Sequence, residues 1–235
     1  MKVLWYNTWS YPFITSNNHI NKVVAYVLRA AELYSPDIII LGEAFDTFTR
    51  NTYKAQLSKG LPTWSLPDHG DETSWIGQQS GGLLAIYRNN DIYLDDARYH
   101  ILSHAGMQDR LSAKGVLGLR FVNIRNESIW ICASHLQDPD AGLPGLCEQN
   151  TGRQFAELIN TVEEWCTNES GVVVGDFNLP PSATSLHWCQ SATSMSLLHP
   201  KETTHFTTNG VLDYGLNFCP PETTVTIETV KAGIN

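Results

Sequence analysis

Apolar positions along this chain switch between two periods, one of helices and one of strands. Between His19 and Ala31, the residues Ile20, Val23, Val24, Val27, Leu28 and Ala31 recur at i, i+3, i+4 and i+7. That stripe predicts an amphipathic helix packed on a sheet. Pro36-Asp37 breaks the helix, and Ile38-Ile39-Ile40-Leu41 follows as a continuous apolar run, the pattern of a strand covered on both faces. Val3 to Asn7 reads as an earlier strand. Further strands are predicted at Gly82 to Tyr87, Gly115 to Val122 and Ser128 to Ala133, each bounded by turn formers. From Thr151, the residues Phe155, Leu158, Ile159, Val162 and Trp165 restore helical spacing and lead into the β-branched run Val172-Val173-Val174. Val211 to Tyr214 and a run around Val225 to Val230 complete the set. The order predicts an α/β (α+β) fold of two mainly antiparallel sheets packed face to face, with helices outside. No repeat, low-complexity tract or linker-like stretch divides residues 1–235, so one domain is expected.

Several predicted strands end in the same kind of residue: Asn7, Glu43, His135, Asp176 with Asn178, and Asp213. In Gly175-Asp176-Phe177-Asn178 a carboxylate and a carboxamide separated by one residue leave a buried strand pointing the same way. Such oxygens suit magnesium or manganese better than zinc. Glu43 directly follows Ile-Ile-Ile-Leu-Gly, where a carboxylate is costly unless something satisfies it, and it is expected to bind metal. Taken alone, His135 reads as a hydrogen-bonded core histidine and Asp213 as a turn cap. Strand-end residues far apart in sequence can converge on one sheet edge, which is how clefts are built.

Charge narrows the partners. Fifteen Lys and Arg against 24 Asp and Glu give a formal charge of -9, which repels a polyanion and disfavours nucleic acid as substrate. No stretch approaches the roughly 20 apolar residues of a membrane-spanning helix. The first apolar residues, Val3 to Tyr6, read as a strand, so no signal peptide is expected within these residues. The five cysteines contain no Cys-x-x-Cys pair and are expected to be reduced thiols, although a mature secreted form would look the same.

Taken in order, Trp5-Tyr6-Asn7, Leu41-Gly42-Glu43-Ala44-Phe45-Asp46, Ser80-Gly81-Gly82, Ser134-His135-Leu136-Gln137, Gly175-Asp176-Phe177-Asn178 and Leu212-Asp213-Tyr214 resemble the endonuclease/exonuclease/phosphatase superfamily. Within it, the chain is most similar to the neutral, magnesium-dependent sphingomyelinases. Glu43-Ala44-Phe45-Asp46 resembles their Glu-x-Phe-Asp segment, Lys114-Gly115 the Lys-Gly that opens their next strand, and His135-Leu136-Gln137 with Asp140 their His-Leu-Gln-x-x-Asp pattern. The resemblance implies a four-layered, DNase I-like sandwich and cleavage of a phosphodiester in a phosphocholine lipid. It implies that Glu43 and Asn7 bind Mg2+, with Mn2+ an alternative. Asp176 and Asn178 would orient the attacking water and a phosphate oxygen. His135 would donate to the phosphate, Asp140 would hold its ring or the nearby loop, and Asp213 would orient the family's general-base histidine. That histidine belongs to a closing Ser-Asp-His motif, which is absent after Asp213 and is expected just beyond Asn235. His199 and His205 lie outside every matched motif.

Three readings follow: a sphingomyelinase-like phosphodiesterase, a nuclease or soluble phosphate-ester phosphatase of the same superfamily, and a binding module that lost its base. The first requires peripheral membrane contact, for which Trp64, Trp75 and Ile76 in turn-rich stretches are candidates. The second requires a basic face, and Lys54, Lys59, Arg88, Arg98, Arg110 and Arg120 are dispersed.

Overall fold

The computed structural model describes residues 1–10, 15–67, 81–89, 92–103, 114–138, 146–180, 182–192, 195–198 and 213–217. The expected strand around Val225 to Val230 lies outside them, as do Asp140, Trp75, Ile76, His199 and His205.

In chain order the elements are β1 (Val3–Asn7), α1 (Asn17–Tyr34), β2 (Ile38–Gly42), α2 (Thr47–Gly60), β3 (Trp64–Ser65), β4 (Leu84–Arg88), β5 (Ile92–Ile101), β6 (Gly115–Asn123), β7 (Ser128–His135), α3 (Leu146–Trp165), β8 (Ser170–Asp176), α4 (Thr184–Ala192), β9 (Ser196–Leu198) and β10 (Asp213–Asn217). One sheet has the order β1-β2-β4-β3 and the other β5-β6-β7-β8-β10-β9. Pairing is antiparallel except for β1 with β2 and β7 with β8.

Pleating explains the four layers. Along β2, Ile38 and Ile40 turn towards the second sheet and meet Leu117, Leu119, Phe121 and Ile131, while Ile39 and Leu41 turn the other way onto α1 and α2. Both faces of this strand are therefore apolar, which is why its sequence is a run and not an alternation. The stripe of α1 seats Ile20, Val23, Val24, Val27 and Ala31 on the first sheet, and Phe155, Leu158, Ile159 and Val162 of α3 cover the outer face of the second. Ser16 caps α1 by accepting from the His19 N–H at 3.2 Å, and Ser35, in the left-handed region at φ 46°, ends it before Pro36.

Five elements, α2, β3, β5, α4 and β9, were not read from the periodicity, and for α2 and β5 the reason is visible. Helix α2 buries Thr49, Arg50, Tyr53 and Leu57, a helical stripe whose polar members hide it; Arg50 is tolerated because it donates to the Leu83 carbonyl at 2.7 Å. Strand β5 alternates, but a bulge between Leu94 and Asp96 shifts its phase halfway. Trp64, one of the candidate membrane contacts, is half-buried in β3, with the Arg88 guanidinium 5.3 Å from its ring centroid. Among the described residues no helix is long and apolar enough to cross a membrane.

Candidate functional site

Strand pairing sets the rows from which a site can be built. In the first sheet, β1 and β2 run parallel with Asn7 beside Gly42, so Asn7 and Glu43 leave the sheet at the same edge. In the second, parallel β7 and β8 place His135 beside Asp176, and antiparallel β10 places Asp213 on the other side of Asp176. The close approach of β7 to β8 requires a glycine: a Cβ at Gly175 would stand 1.9 Å from the Ser134 carbonyl oxygen.

The two rows meet across the seam between the sheets. The Asn7 carboxamide donates to Glu43 Oε1 at 2.9 Å and to Asp176 Oδ2 at 3.4 Å, tying the first sheet to the second. Glu43 and Asn178 both adopt left-handed backbone, at φ 61° and 51°, a conformation that costs a non-glycine residue about 1–3 kcal/mol. Each is held there. Thr8 clasps the Gly42 carbonyl with its N–H at 3.0 Å and its hydroxyl at 2.8 Å, and the Ala44 N–H donates to the Gly82 carbonyl at 2.9 Å. The Asn178 N–H donates to Asp176 Oδ1 at 3.0 Å, and its carboxamide donates to the Leu136 carbonyl at 3.0 Å.

Electrostatics follows from burial. Glu43, His135, Asp176 and Asn178 are all buried, as is Lys114, whose ammonium donates to the Leu136 carbonyl at 2.8 Å. Burial pushes the Glu43 carboxyl up to about 7; the Asn7 hydrogen bond and the Lys114 charge oppose the rise, and Asp176 adds to it. Burial, and then the Lys114 charge, hold His135 well below its ordinary value. The ring is therefore neutral, and its 3.7 Å approach from Nε2 to Glu43 Oε1 is not an ion pair. Two buried atoms of this cluster have no hydrogen-bond partner among the described residues, Glu43 Oε2 and His135 Nδ1. An unbonded carboxylate oxygen and an unbonded ring nitrogen in one buried cluster point to a ligand that supplies the missing contacts.

Five of the expected site residues thus come together: Asn7, Glu43, His135, Asp176 and Asn178. Asp213 joins their row through its backbone register, and its side chain lies outside the described residues, as does all of Asp140. Lys114 was not expected in the site. Its signal was a lysine directly before a buried glycine strand, a position at which a charge has to find partners.

The donor set is oxygen-rich but small. Among the described residues no three His, Cys, Asp or Glu side chains form a metal-holding cluster. Glu43, with its free Oε2, and Asn7 fit an ion that takes one or two protein ligands and fills its remaining positions with water and phosphate oxygens, which is the habit of magnesium.

No family model and no curated protein matches the chain. Solved structures do. A Staphylococcus aureus beta toxin variant with bound magnesium ions is 14% identical, at TM-score 0.78, covering 98% of this chain and 89% of that one. Sphingomyelinase C from Streptomyces griseocarneus is 19% identical, at TM-score 0.72, covering 92% and 83%. An endonuclease/exonuclease/phosphatase family protein from Bacteroides thetaiotaomicron is 13% identical, at TM-score 0.68, covering 92% and 82%. Over nearly its whole length the chain therefore has the fold of the endonuclease/exonuclease/phosphatase superfamily, a sandwich of two mixed sheets between layers of helices.

Proposed function

We propose that the chain is a magnesium-dependent phosphodiesterase that hydrolyses sphingomyelin or a related phosphocholine lipid. The observation that carries this reading is the meeting of Glu43, Asp176 and a neutral His135 at the seam, with one carboxylate oxygen and one ring nitrogen lacking partners. The fold shared with a sphingomyelinase, and the magnesium ions bound by the beta toxin variant, support it.

A phosphodiester resists attack because its anionic oxygens repel the nucleophile. Glu43 and Asn7 would hold the cation, and when bound it supplies positive charge against the phosphate oxygens. Manganese has the same ligand preference. Asp176 and Asn178, whose N–H donates to Asp176 Oδ1, would orient the attacking water and a phosphate oxygen. A neutral His135 can donate one hydrogen bond to a phosphate oxygen, and neutrality suits a donor that must not pair with Glu43. Lys114 offsets part of the negative charge that would otherwise oppose an anionic substrate.

The test compares three reactions with magnesium and with chelator: phosphocholine release from sphingomyelin vesicles, nicking of abasic DNA, and phosphate release from inositol phosphates. Magnesium-dependent phosphocholine release is expected to dominate. Dominant DNA nicking would move the chain to a nuclease reading, and silence on all three would leave a binding module.

A further inference from the structure

The two residues that follow His135 lie outside the sheet, yet every backbone group they carry is bonded. The Leu136 N–H donates to the Asp176 carbonyl at 3.0 Å, and the Leu136 carbonyl accepts from Lys114 at 2.8 Å and from the Asn178 carboxamide at 3.0 Å. The Gln137 N–H donates to Gln154 Oε1 at 2.8 Å, and the Gln137 carbonyl accepts from the Thr151 hydroxyl at 2.9 Å. Thr151 and Gln154 stand three residues apart on one face of α3, and both are fully buried.

The neighbouring positions on this face of α3 are largely apolar, with Phe155 against Phe177 at 5.6 Å between ring centroids and Leu158, Ile159 and Val162 in the same core. Burying a hydroxyl and a carboxamide there is costly unless both are bonded, and a hydrophobic helix face would cover the sheet as well. What the two polar residues add is direction: together they fix both ends of one residue's backbone, two positions after His135. Without them the chain beyond His135 would be anchored through Leu136 alone, with more freedom to shift the ring that precedes it.

We infer that Thr151 and Gln154 are positioning residues for His135, acting through the Gln137 backbone without touching substrate. The inference rests on the proposed function, in which His135 donates to the phosphate. It predicts that loosening the Gln137 backbone misplaces the ring in the transition state and leaves ground-state substrate binding intact.

The test uses Thr151→Val, Gln154→Met and the conservative Thr151→Ser in the full chain, with sphingomyelin vesicles and magnesium. In Thr151→Val and Gln154→Met, kcat is expected to fall about 10- to 100-fold. KM should stay within about twofold, the signature of an interaction realised only in the transition state. Thr151→Ser, which keeps the hydroxyl, should recover most of the loss. Amide hydrogen exchange, read by NMR at Gln137, is expected to quicken in Gln154→Met whether or not substrate is present. If Gln154→Met does not fold cooperatively, the Thr151→Val and Thr151→Ser pair decides alone. Wild-type turnover accompanied by unchanged kcat in Thr151→Val, or unchanged exchange at Gln137 in a folded Gln154→Met, overturns the inference by itself. Wild-type inactivity on every phosphodiester tried overturns the underlying reading, and the inference with it.

Discussion

At the scale of single residues, the site is a set of groups that would not be buried together without a purpose. Glu43 is the extreme case: a carboxylate in left-handed backbone, with its proton affinity raised by burial and one oxygen unbonded. Glu43→Gln is expected to reduce magnesium-dependent turnover by at least about a hundredfold, since the carboxamide cannot supply the charge that holds the cation. In chelator the same variant should melt no lower than wild type, because it removes a group that burial penalises. Undiminished turnover would show that the cation is held elsewhere. Asn7, Glu43, His135, Asp176 and Asn178 were legible in the sequence because each is a polar residue at the end of an apolar run. Lys114 was visible only as part of a Lys-Gly motif with no role attached, and Thr151 and Gln154 were not legible at all. Two polar residues within a helix look like solvent-facing positions, and only the packing of α3 against the β7 end shows their heads turned inwards.

At the scale of elements, strands with both faces covered read directly from sequence and mixed stripes did not. The run in β2 and the stripe in α1 appear where the residues place them, whereas α2 hides behind Thr49 and Arg50, and β5 behind its bulge. The parallel pairing of β7 with β8, which sets His135 beside Asp176, has no local signature, since α3 connects the two strands and the register is fixed only on docking. Gly175 is the residue that permits it. Gly175→Ala would drive a Cβ against the Ser134 carbonyl, a backbone atom that moves only if the two strands part. The expected destabilisation is about 1–3 kcal/mol, or more, read as a lower urea midpoint at unchanged m-value. Gly152→Ala provides the contrast. Nothing lies within 4 Å of its Cβ on α3, so it should gain about 0.4–1 kcal/mol from a stiffer unfolded chain. Equal effects at the two positions would refute the steric account.

At the scale of the whole molecule, three apolar layers hold two sheets and two pairs of helices together, and the polar cluster sits where the two sheets meet. The layered architecture was legible because each layer needs its own apolar pattern, and the chain carries all of them. Where the sheets face each other was not legible, because it depends on side chains such as Ile40 and Phe121 meeting across a gap. An ion held by Glu43 and Asn7 would bind only the folded chain. At a free concentration a hundred times its dissociation constant it should add about 2.7 kcal/mol of stability. Thermal unfolding with magnesium and with chelator measures this, and an equal response in Glu43→Gln would place the ion elsewhere. The position of the cluster also bears on how the molecule matures. Asn7 and Glu43 ride on one half of the sandwich, and His135, Asp176 and Asn178 on the other, so a nascent or refolding chain with only one half assembled lacks the complete proposed site. Catalysis should then return as the final event of refolding, after secondary structure has re-formed, and would serve as a reporter of the moment at which the two halves close.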